Sequence, residues 1–410
     1  MDPADTPAAV VDGGCKEWLT VFGAFLALFC SFGQLNAFGT FQTWYADHQL
    51  SHLSPSTISW IGSLQLFVFF FSGGFVGRLY DEYGPRVLMI PGTIILVSGT
   101  MLTSVSHLFY HFLLAQGVYT GIGIALLFYP SVAAVSAHFH RRRGRAVGIA
   151  MAGSGVGGLV YPIMFRQFFP QVGFGWGIRI SGFIDLVLCG IALCAVTAHQ
   201  SDQTESKPLF SMKTLKDMKD SRYILLVVAS VFISFGLFIP NFYIVDYAAA
   251  HGLSSTTSFY VLAVLNAASI PGRLLPPYLS DRLGHYTLIV PCAFLSGVLA
   301  LALWMCAHTP ASILAFAALY GFFSGGFNAL IIPCVAEISG SADIGTRVGM
   351  LYTSISLSSM AGGPAAGALL RHMGGSYVGV IALSGAVIVV GSFVLVGAKV
   401  CIDLRARARV

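Results

Sequence analysis

The residues of this chain that could do chemistry are a few ionisable side chains that stand inside long apolar stretches. Arg273 is the strongest of them. Removing a guanidinium from water is costly unless it faces a wet cavity or an anion, and its planar fork matches a carboxylate. We predict that Arg273 contacts a substrate; a structural ion pair with Asp185 or Glu337 is the alternative. Asp185 is itself a candidate proton carrier, with a structural pair to Arg179 as its alternative.

All four asparagines of the chain also fall inside apolar stretches, although asparagine is usually a turn residue. Uncharged hydrogen-bonding groups at such positions suit a neutral or weakly anionic organic solute, and hydrogen bonds between helices are the alternative use. We expect most of the 32 phenylalanines to face lipid or to pack in the core. The predicted substrate-binding residues are Arg273, Asn36, Asn241, Asn266, Asn328 and Tyr129.

A short motif, Leu-x-Asp-x-x-Gly, occurs once in each half of the chain. Its aspartates, Asp81 and Asp281, each follow an apolar stretch, and Gly84 and Gly284 can make the tight turn that comes next. A carboxylate there can face the positive N-terminal end of a neighbouring helix, and separating the halves would break that contact. The motif therefore predicts a gate. We assign to it Asp81, Gly84, Arg86, Asp281, Arg282, Gly284 and Glu337.

The elements that must position these residues are membrane spans. Of the 410 residues, 56% are hydrophobic and only 10% are charged, and the mean hydropathy is +0.79. A soluble domain carries about 25% charged residues, so this composition excludes a soluble enzyme, a disordered chain and a nucleic-acid-binding domain. A span needs about 20 mostly apolar residues. Twelve such stretches are predicted, at approximately 18–43, 56–78, 87–107, 109–137, 146–169, 178–198, 223–249, 256–280, 286–307, 311–337, 346–370 and 376–400.

The longest hydrophilic break divides these spans into two groups of six, and the repeated motif occupies the same place in each group. An all-α membrane protein with two pseudo-symmetric six-helix halves is a transporter architecture. The predicted segments are an N-terminal tail (1–17), a first bundle (18–198), a central loop (199–222), a second bundle (223–400) and a C-terminal tail (401–410).

Lysine and arginine fall almost entirely on one side of these spans. Only Arg166, Arg179 and Arg371 of the 22 basic residues lie on the other side, and Arg273 lies within a span. Because basic residues concentrate on the cytoplasmic side, we predict that both termini are cytoplasmic. The first seventeen residues carry four acidic side chains and no leading basic region, which argues against a cleaved signal peptide.

The motif residues resemble the major facilitator superfamily. The stretch Gly77-x-Leu-x-Asp81-x-x-Gly84-x-Arg86 is similar to its signature between the second and third helices, although Glu82 stands where the family usually has Arg. Two further stretches, Asp12-Gly-Gly-Cys-Lys-Glu-Trp18 and Phe139–Ser154, resemble monocarboxylate transporters and their fungal relatives. The resemblance covers the whole chain. It implies twelve helices around a central cavity that helices 1, 4, 7 and 10 line.

Two positions depart from the proton-coupled animal members of that family. Asn36 stands where those members have a carboxylate-binding lysine, and Ser269 stands where they have an aspartate, whereas Arg273 is kept. The resemblance therefore implies carboxylate recognition through Arg273, with weak proton coupling.

These observations predict a secondary active transporter that moves a small organic solute by alternating access, with a carboxylate-bearing metabolite as the leading class. An exporter of a neutral secondary metabolite and a transporter-like nutrient sensor that does not transport are the alternatives. An enzyme is not expected, because no His-Glu-x-x-His, nucleophile elbow or paired aspartate motif lies in a span. The expected partners are the solute, H+ as a candidate coupling ion, and membrane lipid, with no nucleic acid, metal or cofactor. We expect a monomer in the plasma membrane.

Overall fold

The computed structural model describes residues 14–197, 220–339 and 343–407. Within these ranges every regular element is a helix. The predicted central loop and the predicted N-terminal tail lie largely outside the described residues, whereas most of the predicted C-terminal tail, residues 401–407, continues the last helix. The long helices of the described ranges are α1 (Cys15–Asp47), α2 (Pro55–Tyr83), α3 (Pro85–Ser104), α4 (Phe109–His138), α5 (Arg143–Val172), α6 (Phe174–Ala195), α7 (Ser221–Ala250), α8 (Ser255–Leu283), α9 (His285–Trp304), α10 (Pro310–Glu337), α11 (Ile344–His372) and α12 (Val378–Arg407).

These helices match the twelve predicted spans in number and order. Eleven of them are long and apolar enough to cross a membrane. The helix outside that set is α11, which is 29 residues long but rich in Ser, Thr and Gly. Gly345 and Gly349 of α11 lie against the backbone of α2, and Gly362 lies against the backbone of Phe235 in α7, so these small residues serve close contacts between helices. The structure therefore confirms the all-α membrane fold.

Three of the helices are interrupted by single turn residues: α1 at Ser31 and Ala37, α2 at Ser72, and α7 at Phe238. In α7, Pro240 lacks the N–H that would continue the helical hydrogen bonds. The nearby carbonyls are bound instead by side chains of other helices. Interrupted spans of this kind usually mark the substrate path of a transporter.

The carbonyls at the α7 interruption have specific partners. Ser384 Oγ donates to the carbonyl of Gly236 at 2.9 Å, and the Tyr320 hydroxyl donates to the carbonyl of Leu237 at 2.8 Å. Because backbone groups inside a bilayer must be paired within the protein, these two bonds allow the interruption to persist.

The first six and the last six helices meet along two seams, α5 with α8 and α2 with α11. Glycines permit the close approach at both. A Cβ built on Gly148 of α5 would lie 2.5 Å from the carbonyl oxygen of Arg273 in α8, and the N–H of Gly74 in α2 donates to Thr353 Oγ1 of α11 at 2.8 Å. Small residues that bring backbones this close are typical of helix contacts in membranes.

Candidate functional site

Asp281 forms a contact between the two seam helices α8 and α5. Its carboxylate accepts hydrogen bonds from the backbone N–H groups of Gly144, at 2.7 Å, and Arg145, at 3.0 Å. These N–H groups belong to the first turn of α5, which begins at Arg143. The first N–H groups of a helix have no partner within it and carry partial positive charge, so they favour a carboxylate.

Asp81 makes the equivalent contact on the other seam. It accepts from the N–H groups of Gly345, at 3.1 Å, and Thr346, at 2.7 Å, and also from the Thr346 hydroxyl at 2.6 Å. These groups form the first turn of α11, which begins at Ile344. Each aspartate therefore joins its own half of the protein to a helix start of the other half. We call the end of the bundle where both lie the Asp end, and the opposite end the far end.

The other predicted gate residues surround these contacts. Gly84 has a φ of 77° and Gly284 a φ of 90°, in the left-handed region that favours glycine. Arg86 Nε donates to the carbonyl of Val196 at 3.2 Å, within the first six helices. Arg282 and Glu337 are both exposed at the Asp end.

Sequence reasoning missed two residues at this end. Thr346 supplies a hydroxyl to Asp81, and the Arg145 guanidinium lies 5.5 Å from the ring centroids of both Trp18 and Tyr278. The contact with Tyr278 joins α5 to α8, beside Asp281. Both residues could have been found in the sequence from their position, because each lies at the start of a predicted helix, directly after a loop.

Arg273 is almost fully buried, with 4% of its surface exposed. One guanidinium nitrogen donates to Ser154 Oγ at 2.6 Å and to the carbonyl of Met151 at 3.3 Å, both in α5. Its Nε has no hydrogen-bond partner among the described residues. Asn36 Nδ2 approaches the carbonyl of Ser154 at 3.4 Å. Arg273 is therefore tied to the opposite half through α5, and the hydrogen-bond partners described for it are these two groups rather than Asp185 or Glu337.

Asp185 is fully buried in α6. The Tyr161 hydroxyl donates to it in a short hydrogen bond, and Gln34 Nε2 lies 3.4 Å from its other oxygen. Arg179, the partner that the sequence offered as an alternative, donates instead to Ser104 Oγ at 3.1 Å. Asp185 is thus surrounded by neutral donors of α1 and α5 rather than by a cation.

Two pockets lie between the halves. The one nearer the Asp end has a cavity volume of only about 10 Å³, the space of about one water molecule, so its walls are nearly closed on each other in this conformation. Six aromatic rings dominate its wall, and we call it the aromatic pocket. Its lining residues are Phe32, Phe70, Phe128, Met151, Ser234, Phe238, Phe327, Asn328, Ile331, Tyr352 and Ile355.

The second pocket lies nearer the far end and has a cavity volume of about 40 Å³, so it too is nearly closed in this conformation. Three side-chain amides belong to its wall, and we call it the amide pocket. Its lining residues are Leu35, Asn36, Phe38, Gly39, Gly62, Gln65, Leu66, Phe238, Asn241, Phe242 and Leu262. No charged side chain lines either pocket in the part of the chain that the structure describes.

The pockets gather three of the four predicted asparagines: Asn36 and Asn241 line the amide pocket, and Asn328 lines the aromatic pocket. Asn266 is buried and lies near Asn36, since a Cβ on Gly158 would be within 3.4 Å of both side chains.

Tyr129 does not line either pocket. It is 2% exposed, and its hydroxyl donates to the carbonyl of Phe69 at 3.1 Å, close to the interruption of α2 at Ser72. This hydroxyl therefore satisfies a helix carbonyl, and the contact of Tyr129 with solute stays a prediction. Its ring packs against Tyr352, which does line the aromatic pocket.

The aromatic wall was not foreseen from the sequence. Phe32, Phe70, Phe128, Phe238 and Phe327 were grouped with the phenylalanines expected in lipid or core. An apolar side chain in an apolar span has no sequence signal that separates a pocket wall from these other places.

The sequence matches the Major Facilitator Superfamily over residues 24–312 and 278–400. It is 41% identical to the MFS transporter asaE of Aspergillus flavus over 398 residues, covering 97% of this chain and 90% of that protein. It is 37% identical to the aspyridones efflux protein apdF of Emericella nidulans, covering 95% and 78% of the two chains. The fujikurins efflux protein of Gibberella fujikuroi is 34% identical, with 95% and 83% covered. With this similarity along nearly its whole length and with its helical architecture, the chain belongs to the major facilitator superfamily and is a multi-pass membrane transporter.

Proposed function

We propose that this transporter exports an uncharged, largely apolar metabolite. The observation that carries the proposal is the wall of the two pockets, which is aromatic and amide-bearing and has no charged side chain among the described residues. Aromatic rings bind apolar and planar groups, while a few amides fix orientation through hydrogen bonds. A charged solute would lose its hydration in these pockets without a partner of opposite charge.

The relatives support export rather than uptake. Two of them carry names that describe efflux, of aspyridones and of fujikurins. We carry over from them only the direction of transport and the broad class of cargo, an organic metabolite.

Alternating access is the mechanism that fits the contacts at the Asp end. The bonds from Asp81 to α11 and from Asp281 to α5 hold the halves together there, so opening that end requires both to break. We place the Asp end on the cytoplasmic side, where the basic residues concentrate, and the protein in the plasma membrane as a monomer.

The test is export from cells that contain or lack this gene, with a panel of metabolites that includes neutral compounds and their carboxylic acid analogues. We expect cells with the gene to export the neutral aromatic compounds faster than cells without it. The variant Asn328→Leu, which removes an amide from the aromatic pocket, should lose this difference. Phe232→Leu, on a side chain of α7 that is 40% exposed, is the control. Equal efflux with and without the gene for all neutral members would refute the proposal.

A carboxylate-bearing metabolite is the second candidate, and the unpartnered Nε of buried Arg273 favours it. Here the comparison is a transported acid and its methyl ester. If Arg273 binds the carboxylate, Arg273→Ala should slow transport of the acid but not of the ester. Arg273→Lys should also transport the acid slowly, because an ammonium group cannot reproduce the two parallel hydrogen bonds of a guanidinium. Equal losses for both would assign Arg273 to the contact with Ser154 and Met151.

We further infer that the chain is a fungal-type member of the monocarboxylate porter group with weak proton coupling. Asn36 and Ser269 lack the ionisable groups that the coupled members have at these positions. Asp185, buried beside Tyr161, is the carboxyl group proposed to carry a proton if coupling occurs.

A further inference from the structure

Phe238 lies between the aromatic pocket and the amide pocket and lines both. Its ring contacts the ring of Phe70 in α2, with 5.9 Å between the centroids, so this side chain reaches from the last six helices to the first six. Ser234, one turn before Phe238, lines only the aromatic pocket, and Asn241, about one turn after it, lines only the amide pocket. The pockets therefore lie in series along α7, with Phe238 between them.

Phe238 also stands at the interruption of α7, between the helical segments Ser221–Leu237 and Ile239–Ala250. Since Ser384 and Tyr320 already bind the carbonyls of Gly236 and Leu237, a change of angle there need not break a continuous row of helical hydrogen bonds. Residues at such an interruption absorb backbone rotation most easily. A bend of α7 would therefore move the ring of Phe238 first.

The amide pocket has a feature that points to a bound solute. Gln65 is 2% exposed, and its Oε1 has no hydrogen-bond partner among the described residues. A buried acceptor without a partner is costly and rare. A hydroxyl or N–H group of a solute in the pocket could donate a hydrogen bond to Gln65 Oε1. A solute without such a donor could not.

We propose that the solute occupies two successive stations, the aromatic pocket and the amide pocket, and that Phe238 is the partition between them. The aromatic pocket holds the apolar part of an uncharged solute, and its hydroxyl or N–H groups pair with Gln65 once it enters the amide pocket. Passage requires α7 to bend at Phe238 and the ring to leave Phe70. The direction of passage rests on the proposed function; the division into two stations does not.

The experiment needs no knowledge of the substrate. Single cysteines are placed at Asn241, in the amide pocket, and at Asn328, in the aromatic pocket, and a membrane-impermeant methanethiosulfonate is added to one side of sealed vesicles at a time. The side that modifies Asn241→Cys defines the far end. From that side we expect Asn328→Cys to react on the order of tenfold more slowly, because the Phe238–Phe70 pair must open first. Phe238→Ala should remove most of this difference.

Phe232→Ala, in the same helix but facing outward with 40% exposure, is the matched control and should leave the difference intact. The protein without an added cysteine gives the background of its native thiols. Equal rates at the two positions with Phe238 present, no effect of Phe238→Ala, or no modification of Asn241→Cys from either side would each overturn the partition. These rates are independent of the export assay, so a failure of the proposed function would be seen separately.

Gln65→Leu tests the amide station by itself. Because Oε1 has no partner to lose, the variant should melt at the same or a higher temperature than the parent, measured by thermal unfolding of the purified protein. A clearly lower melting temperature would show that Gln65 is a structural hydrogen bonder, and would remove the amide pocket as a station.

Discussion

Neutralising Asp81 should weaken the closed Asp end without unfolding the protein. In Asp81→Asn the shape of the side chain is kept, but one of its two oxygens becomes an N–H₂ group. The carboxylate now accepts three hydrogen bonds from Gly345 and Thr346, at 2.6–3.1 Å. The variant can keep the two bonds from Thr346 only by directing its own N–H₂ group at the N–H of Gly345.

The magnitude follows from these contacts. A hydrogen bond to a charged group contributes about 1.5–3 kcal/mol and one between neutral groups about 0.5–1.5 kcal/mol, and a charge at a helix N-terminus adds about 0.3–1 kcal/mol. Losing one charged bond (about 1.5–3 kcal/mol), weakening two to neutral ones (about 1–1.5 kcal/mol each) and losing the charge at the helix start should destabilise the closed end by about 4–7 kcal/mol, a shift of roughly 10³- to 10⁵-fold in the ratio of closed to open molecules.

The assay measures export with Asp81→Asn as the single change and, in a second protein that also carries Asn328→Cys, the accessibility of that cysteine from the Asp end. We expect faster modification of Asn328→Cys and slower export in Asp81→Asn, with normal amounts of protein in the membrane. Asp281→Asn should behave alike, since Asp281 holds the start of α5 in the same way. Glu82→Gln changes the same charge at an adjacent exposed residue and is the control. Identical accessibility and turnover in Asp81→Asn and Glu82→Gln would refute the gate.

Three other outcomes are expected. Asp185→Asn should keep the fold, since an amide can still accept from the Tyr161 hydroxyl, and should abolish any accumulation driven by a pH gradient; strong gradient-driven accumulation that survives this change would exclude Asp185 as carrier. Gly148→Ala should reduce export several-fold, because its Cβ would meet the Arg273 carbonyl at 2.5 Å, whereas Gly190→Ala, with no atom within 4 Å, should not; equal export in the two variants would show that this seam need not close so tightly. Tyr320→Phe should lower the free energy of unfolding by about 1–3 kcal/mol, because the buried carbonyl of Leu237 loses its partner; an unchanged unfolding transition would mean that another group pairs that carbonyl.

The sequence by itself determined the helical fold and the order of the spans. A run of about twenty apolar residues in a bilayer has no stable alternative to a helix, because its backbone groups must be paired internally. The repeated aspartates were also predictable, since Asp81 and Asp281 combine a helix end, a charge and a following glycine. Their contacts with α11 and α5 have the form that this combination predicts.

Tertiary structure alone decided which polar groups meet. The contact of Arg273 with a solute stays a prediction, and packing decided that it also donates to the Ser154 hydroxyl and the Met151 carbonyl, because the glycines of α5 allow α8 to approach closely. The hydroxyl of Tyr129 likewise donates to the carbonyl of Phe69. A sequence states that such a group needs a partner, but several partners lie within reach and packing selects one.

The pocket walls were the least predictable part for a physical reason. Within an apolar span, a phenylalanine that faces lipid, packs in the core or lines a cavity is chemically the same residue. Phe238 acquires its position between the two pockets from the interruption of α7 and from the ring of Phe70 across the seam. Pro240 indicates in the sequence that α7 is interrupted nearby. Only the packing of the helices places that interruption beside the two pockets.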